Sequence, residues 1–217
     1  MNKITSKSSM SSESEKKIVI AYHSESGHTE VIAKSIAKGI SAVADCHAIF
    51  FNVVNEDVDW DILNSADGVV FGCPTYMGNV SGVFKTFMDA SSAIWFSRGW
   101  VNKVAGGFTC SGSLSGDKLN TLQALSLYAL QHGMVWLGPE DICTEFDAQP
   151  HNTNRLGSHL GLMAQCNPYS DTAISPPEGD RETARLFGMR IANAVIRWSI
   201  DKVSVERKTI ELASDLA

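Results

Sequence analysis

Short apolar runs alternate along the chain with segments whose apolar residues recur every three or four positions, and this alternation constrains the fold most. The runs at 17–22 (KIVIAY), 47–54 (HAIFFNVV) and 68–73 (GVVFGC) predict strands. Two further strands are predicted at 103–110 and 134–137. Strands that are apolar on both faces are typical of a parallel sheet covered by helices on each side. The pattern therefore predicts an α/β fold.

The segments between the strands predict amphipathic helices. Each contains a stripe of apolar residues at helical spacing, and the stripes are Val31, Ile32, Ile36 and Ile40; Val80, Phe84, Phe87 and Met88; Leu119, Leu122, Leu125 and Ala129; and Phe187, Ile191, Val195 and Trp198. Because crossovers between parallel strands are right-handed, the loops after the first, third and fourth strands are expected along one edge of the sheet. Ligands of such sheets bind at the carboxyl ends of the strands, so we expect the functional site there.

Composition limits the classes of protein that fit. The 217 residues are 44% hydrophobic and 19% charged, which indicates a globular chain, and the net charge of −6 argues against nucleic-acid binding. No stretch approaches the ~18 consecutive apolar residues of a membrane-spanning helix. We expect a flexible tail at 1–16, with a docking arm as the alternative, and a single domain at 17–217. Residues 138–180, rich in proline, predict a long loop with a functional or interfacial role.

The five cysteines are scattered without a Cys-x-x-Cys pair, which argues against a zinc ribbon or a thioredoxin-like motif. An odd number of cysteines without a secretory signal favours a reducing cytoplasm. Cys73 and Cys110 are expected at strand ends, where packing of small residues explains them more simply than a redox relay does. His23 and His28 have no further close ligands in the sequence, so we predict no metal site.

The loop after the first strand, Ser24-Glu25-Ser26-Gly27-His28-Thr29, places hydroxyl side chains and a glycine at the start of a helix. Free backbone N–H groups and the positive end of the helix dipole favour a phosphate at such a position. The loop lacks both the Walker A lysine motif and the dinucleotide glycine motif, so a monophosphate is the expected ligand. A plain helix cap would use the same residue types, and the loop alone does not separate the two.

The loops after the third and fourth strands have a similar character. Pro74-Thr75-Tyr76-Met77-Gly78-Asn79, in which Pro74 is expected to end the strand, offers backbone groups, an aromatic ring and a thioether to a flat ligand. Cys110-Ser111-Gly112-Ser113-Leu114-Ser115-Gly116 is again small and rich in hydroxyls. Each loop alone is an ordinary surface turn. Three such loops at one edge of a sheet predict a common ligand site.

Three segments resemble known flavin proteins. KIVIAYHSESGHTEVIAKSIAKG resembles the phosphate loop of flavodoxin-like FMN proteins, and GCPTYMGNVSGVFKTFMDASSAIW resembles a segment of WrbA-type NAD(P)H:quinone oxidoreductases. QHGMVWLG is similar to the HHGM segment of this family, which we group with the NADPH-dependent FMN reductases. The resemblance, over roughly 17–138, implies a flavodoxin-like three-layer fold with a five-stranded parallel sheet in the order 2-1-3-4-5 and helices on both faces.

The resemblance also implies which residues contact FMN. The phosphate is expected at Ser24, Ser26, Gly27, His28 and Thr29. Contacts with the ring are expected from Pro74, Thr75, Tyr76, Met77, Gly78 and Asn79, and contacts with its pyrimidine edge from Cys110, Ser111, Gly112, Ser113, Leu114 and Ser115. No metal is expected.

Two residues are implied to take part in the reaction. Trp95 is expected beside the flavin, where a quinone or nicotinamide can stack, with plain core packing as the alternative. His132, or its neighbour Gln131, is expected to contact the flavin or the quinone, with a helix-end histidine favoured by the dipole as the alternative.

The sequence departs from the family in places that concern the substrate. Tyr76 stands where the family has an arginine, CSGSLSG replaces a glycine-rich loop, and the segment RGGxPYGA has no clear match. Flavin binding tolerates these changes because it rests on backbone groups and hydroxyls. The preference for a particular nicotinamide or quinone is not expected to tolerate these changes.

The resemblance implies an FMN-dependent oxidoreductase that takes hydride from NAD(P)H and reduces quinones by two electrons. A one-electron flavodoxin-type carrier and a flavin-binding regulatory protein are the alternatives, since fold does not fix function. A homodimer or homotetramer is also implied, with contacts expected at 138–180 and at Trp95, Phe96 and Trp100.

Overall fold

The structure is a computed structural model that describes residues 15–54, 58–143 and 150–214, with side chains described as far as residue 199. The strands are β1 (Lys16–Tyr22), β2 (Cys46–Asn52), β3 (Gly68–Tyr76), β4 (Asn79–Val80), β5 (Val104–Ser111), β6 (Val135–Trp136) and β7 (Leu162–Gln165). The helices are α1 (His28–Ser41), α2 (Trp60–Asn64), α3 (Gly82–Ala90), α4 (Ser92–Ser97), α5 (Lys118–Gln131) and α6 (Glu178–Ser214).

The central sheet has the order β2-β1-β3-β5-β6, and all neighbours along this path are parallel. Since β5 and β6 are the predicted fourth and fifth strands, the predicted order 2-1-3-4-5 is confirmed. The fifth position is divided, because β6 pairs with the start of β5 and β7 pairs with its end. The predicted loop 138–180 therefore contains a strand, which is too short at four residues for its period to show in the sequence.

The third strand does not end at Pro74, as we expected, but continues to Tyr76. Pairing between β1 and β3 stops at Gly72, so Pro74 lies where β3 is paired only with β5 and the missing proline N–H is tolerated. The strand then turns back into β4 through Met77 and Gly78, which both have positive φ (48° and 75°), as tight hairpin turns require.

The four predicted helices are confirmed as α1, α3, α5 and α6, and they cover the sheet on two faces. On one face, side chains of α1 and α6 such as Ile36 and Phe187 enclose the inward residues of β1 and β5. On the other face, α3 and α5 cover Val69 and Phe71 with Phe84 and Leu125. These two apolar layers confirm the three-layer architecture.

The remaining expectations concern the N-terminal tail, membrane-spanning helices and Trp100. Residues 1–14 and 144–149 lie outside the described residues, so the tail remains a prediction. Among the residues searched, no helix is long and apolar enough to cross a membrane. Trp100, which we expected at a subunit contact, is fully buried against Phe71 and Tyr128, and this corrects the prediction for that residue.

Candidate functional site

The three hydroxyl-rich loops meet at the carboxyl edge of the sheet around a cavity of about 270 Å³. Its lining consists of Glu25, Ser26, His28, Thr29, Pro74, Thr75, Tyr76, Cys110, Ser111, Gly112, Cys166 and Pro168. A second cavity of about 600 Å³ shares Gly112 and Pro168 with the first and extends along residues 165–177. Together they have the size of an ordinary cofactor site.

The N-terminus of α1 forms one end of the cavity. Gly27 precedes the helix in the left-handed conformation (φ 86°), and the Ser24 hydroxyl accepts the Glu30 N–H at 3.2 Å. The N–H groups of His28 and Thr29 have no acceptor within the helix, because the first turn of any α-helix lacks one. They are therefore available to an anion, as predicted for this loop.

The His28 ring is buried and joins this loop to the segment after β7. Its Nε2 is 3.1 Å from the Ser170 carbonyl oxygen, and its Nδ1 is 3.0 Å from the Ser26 hydroxyl. A carbonyl can only accept, so Nε2 carries the proton and Nδ1 of the neutral ring accepts from Ser26. In that state the single hydroxyl proton of Ser26 is directed to His28, and the Ser26 oxygen is left as an acceptor.

Thr75, a predicted ring contact, uses its hydroxyl for structural support. The Thr109 hydroxyl donates to the Cys73 carbonyl at 2.8 Å, so it accepts from Thr75 at 2.7 Å, and Thr75 accepts from Thr121 at 2.8 Å. This buried chain joins β3, β5 and α5 beneath the loops. Thr75 therefore meets a ligand with its backbone or its methyl group.

Tyr76 connects the first and second loops across the cavity rim. Its phenol donates to the Glu25 carboxylate at 2.9 Å, and burial together with this carboxylate raises the pKa of Tyr76 to about 12. The adjacent turn is anchored from α5, where the Asn120 side chain donates to the Gly78 carbonyl at 2.7 Å. Met77 at its tip is fully exposed.

The third loop contributes a polar atom that lacks a partner. The Ser111 Oγ is buried and forms no hydrogen bond within the described residues, and Ser111 lines the cavity. Below the loop, the fully buried Lys118 donates to the carbonyls of Ser113 and, at 3.4 Å, Leu114. Burial lowers the pKa of Lys118. The loop is thus fixed from beneath, and the Ser111 hydroxyl is left without a partner among the described residues.

The structure brings only part of the predicted contact set to the cavity. Ser26, His28, Thr29, Pro74, Thr75, Tyr76, Cys110, Ser111 and Gly112 line it, whereas Ser24, Gly27, Met77, Gly78, Asn79, Ser113, Leu114 and Ser115 are not among its lining residues. Ser24 and Gly27 shape the helix start, and Asn79 accepts the Val80 N–H with its own side chain. For the residues that do not line the cavity, contact with FMN stays a prediction.

His132 lies away from these loops and does not line the cavity of its own chain, so its contact with the flavin stays a prediction. His132 directly follows the C-terminal end of α5, and the N-terminal end of this helix adjoins the third loop. The carbonyl of the next residue, Gly133, accepts the N–H of Asn102, which lies shortly before β5. The His132 ring is buried with its centroid 4.4 Å from that of Trp100. The alternative of a helix-end histidine fits its position, but burial and then Arg98 lower its pKa to about 4, so it is neutral rather than a cation favoured by the dipole.

Trp95 lies on α4, beyond the end of α3, and is 44% exposed. The nine residues of α3 lead away from the loop edge and span about 13 Å. Core packing, the alternative for this residue, is not observed. Trp95 is not among the lining residues of the cavity.

Sequence reasoning missed cavity residues of two kinds. Glu25 lies inside the first loop, between the predicted contacts Ser24 and Ser26, and lines the cavity. Cys166 and Pro168 come from the segment 138–180, which had been singled out for its proline content and lack of periodicity without any residue being chosen. Among the described residues no group of three or more His, Cys, Asp or Glu side chains is placed to hold a metal ion.

Comparisons with known proteins agree with this geometry. Residues 20–98 match the flavodoxin family model, and residues 60–147 match the model described as NADPH-dependent FMN reductase. The flavodoxin FldP of Pseudomonas aeruginosa is 40% identical over 178 residues, which cover 81% of this chain and 95% of that protein. The chain belongs to the flavodoxin-like family.

Two further relatives extend this flavodoxin-like assignment. A crystal structure described as a WrbA-like flavodoxin from Agrobacterium tumefaciens has 39% sequence identity and a TM-score of 0.67, and it covers 84% of this chain and 98% of that chain. An NAD(P)H dehydrogenase (quinone) of Geotalea uraniireducens is 27% identical over 211 residues, covering 83% of this chain and 98% of that protein. The relatives thus include proteins named flavodoxin and proteins named NAD(P)H dehydrogenase (quinone).

Proposed function

We propose that this chain is an FMN-dependent oxidoreductase that accepts hydride from NAD(P)H and reduces quinones or similar small acceptors by two electrons. The matching flavodoxin and FMN reductase families support FMN as the cofactor. The names of the dehydrogenase relatives support the donor and the acceptor. A cytoplasmic location, favoured by the scattered thiols, belongs to the same proposal.

The unpaired Ser111 hydroxyl in a cavity that begins at the N-terminus of α1 is the observation that carries this proposal. A ligand with a phosphate at one end and a polar ring edge at the other satisfies both features, and FMN has this arrangement. Ser111 is the natural partner of the ring edge, and the N–H groups of His28 and Thr29 are the natural partners of the phosphate. The residues present therefore fit the cofactor.

The described lining of the cavity contains no lysine or arginine, and Glu25 adds a negative charge. A phosphate would therefore be bound by N–H groups, the helix dipole and the Thr29 hydroxyl rather than by cations. Bound FMN would supply the two-electron chemistry, and the protein would supply position and surroundings. The buried threonine chain and Lys118 keep the loops in place for this purpose.

The visible spectrum of the purified protein, with and without added FMN, tests the cofactor. Stopped-flow mixing with NADH or NADPH then tests the activity, since we expect rapid bleaching of the flavin bands and their return when benzoquinone is added. A colourless protein that does not bind added FMN would exclude the proposal. Bleaching by NADH or NADPH without reoxidation by benzoquinone would be consistent with FMN binding but would exclude quinones as the acceptor.

A one-electron carrier is the second candidate, and the 40% identity with the flavodoxin FldP favours it. A carrier would accumulate a stable one-electron-reduced state on photoreduction and would not react with NADH or NADPH. An enzyme would react with NADH or NADPH and would not accumulate a one-electron-reduced state. A flavin-binding regulatory protein would bind FMN and show neither reaction.

Trp95 is proposed to complete the stacking site of a second copy in a homodimer or homotetramer. The exposed ring of Trp95 and its position beyond α3 support this. Trp95→Ala is expected to lower kcat/KM for quinone about tenfold, the effect of losing one aromatic pair, without changing FMN affinity. Phe96→Ala on the same helix is the matched control. An active monomer by analytical ultracentrifugation would contradict the proposal.

A further inference from the structure

Cys110 lies near the end of β5, and Cys166 follows β7 directly. Both line the cavity and both belong to the same apolar layer under the sheet. The pairing of β5 with β7 brings them together, since Ser111 is opposite Gln165 and the Cys166 N–H donates to the Ser111 carbonyl at 3.1 Å. Fifty-five intervening residues conceal this pair in the sequence, where neither cysteine belongs to a recognisable motif.

The two thiols are close enough to shift each other's pKa. From the strand pairing that places them side by side and the cavity that they share, we infer that Cys110 and Cys166 are a redox-active dithiol, which a small hydroperoxide entering the cavity converts into a reversible disulfide. This property is separate from FMN-dependent activity.

The surroundings assign a role to each sulfur. Interaction with Cys110 lowers the pKa of Cys166 against the opposing effect of burial, and the charge of Lys118 adds to the lowering, whereas interaction with Cys166 and burial both raise the pKa of Cys110. Cys166 is thus the thiolate that reacts first, and Cys110 is the thiol that follows. Asp180 also faces both sulfurs and opposes the ionisation of Cys166, but its charge is shared with Arg155.

The reaction balances with one hydroperoxide. The Cys166 thiolate attacks the terminal oxygen, the O–O bond breaks, and Cys166 becomes a sulfenic acid while an alkoxide or hydroxide leaves and takes up a proton. The Cys110 sulfur then attacks the Cys166 sulfur, the S–O bond breaks, and water leaves with the Cys110 proton. Two thiols lose two electrons, and the peroxide is reduced to water and an alcohol, or to two waters when it is hydrogen peroxide.

Cys73 provides a matched control. It lies one strand away from this pair on the opposite apolar layer, and burial raises its pKa to about 12. It does not line the cavity among the described residues, and its contacts are with Ser81. We expect it to stay reduced when the pair is oxidised.

The test treats the full-length protein with hydrogen peroxide, alkylates the remaining thiols, and maps the peptides by mass spectrometry without reduction. We expect a peptide joined between Cys110 and Cys166, the loss of those two of the five alkylatable thiols, and recovery of both with dithiothreitol. Cys73→Ser should leave the joined peptide unchanged, and Cys166→Ser should abolish it. Oxidation of Cys166 to sulfinic acid with Cys110 still alkylatable would overturn the inference, as would peroxide resistance of both. The wild-type thiol map gives this answer even if a variant does not fold.

A parallel treatment with FMN present separates the inference from the proposed function. If FMN occupies the cavity, it should slow formation of the joined peptide, because hydroperoxide must enter by the same route. A joined peptide that forms at the same rate with and without FMN would support the dithiol and contradict the cofactor site. Absence of the joined peptide in both samples would refute the dithiol alone.

Discussion

The two ends of α5 each hold a buried polar atom without a hydrogen-bond partner among the described residues, but their surroundings differ. Near the N-terminal end, Ser111 belongs to the lining of a cavity of about 270 Å³. At the C-terminal end, the His132 ring packs against Trp100, and its Nδ1 has no partner. The difference teaches that an unpaired polar atom indicates a binding site only where there is space for a ligand. Elsewhere it costs about 1–3 kcal/mol of stability.

The state of His132 follows from its single hydrogen bond. The Ser91 hydroxyl donates to the Met88 carbonyl at 2.7 Å and accepts from Tyr128 at 2.8 Å, so it must also accept from Nε2 of His132 at 3.0 Å. Nε2 therefore carries the proton, and Nδ1 is a bare acceptor in an apolar environment. His132 therefore stabilises the fold only while its ring is neutral.

The largest expected effect is at the loop edge, where Arg155 forms a buried ion pair with Asp180 at 2.7 Å and reaches Gln165 at 3.0 Å. Arg155→Met should lower the free energy of unfolding by about 3–5 kcal/mol, because it leaves a buried carboxylate without its cation. Urea unfolding measures this. Arg185→Met, which removes a largely solvent-accessible pair with Glu182, should cost at most about 1 kcal/mol, and equal losses in both variants would contradict the reasoning.

The second prediction is that the free energy of unfolding depends on pH through His132, at the edge of the sheet opposite the cavity. The pKa of His132 is about 4 in the folded protein and 6.5 in the unfolded chain, so between these values the unfolded state binds more protons. The stabilisation is complete above pH 6.5 and is lost as the pH falls towards 4, by about 2 kcal/mol between pH 7 and pH 5. His132→Phe should reduce the fall in unfolding free energy over this interval by that amount. An unchanged slope would show that His132 is already protonated or exposed.

The third prediction concerns the unpaired hydroxyl at the loop edge. Ser111→Ala should weaken FMN binding about five- to tenfold, the effect of one lost hydrogen bond, while leaving the free energy of unfolding the same or slightly higher. Isothermal titration calorimetry measures the affinity. Ser113→Ala changes an exposed hydroxyl on the same loop that does not line the cavity, and it should have no effect. Equal weakening by both variants would mean that the ligand lies over the outer part of the loop.

The smallest expected effect is at the cavity rim, where Tyr76 donates to Glu25. Since Tyr76 is 43% exposed, Tyr76→Phe should change the free energy of unfolding by less than about 1 kcal/mol. Ultraviolet titration of the wild type should place the Tyr76 pKa at about 12, and Glu25→Gln should move it towards 10. A Tyr76 phenol that ionises near 10 in the wild type would show that the connection between the loops is absent in solution.

The order of the sheet and the place of the site could be predicted because they depend on local patterns. Apolar runs and helical stripes determine which segments are strands and helices, and right-handed crossovers then bring three loops to one edge. The short elements β4, β7, α2 and α4 could not be predicted, because two to six residues carry too little periodicity. Within the site, Ser111, His28 and Tyr76 could be named from their loops alone.

The sequence by itself determined the three-layer fold, the edge of the sheet that holds the cavity and the hydroxyl-rich character of that edge. Only the tertiary structure decided that His132 belongs to the opposite edge, that Trp95 is absent from the lining of the cavity, and that Cys110 and Cys166 line it together. The physical reason is distance along the chain. Hydrophobic periodicity and helix starts are set by neighbours a few residues apart, whereas orphan atoms, buried ion pairs and thiol contacts depend on segments that meet only after the strands have paired.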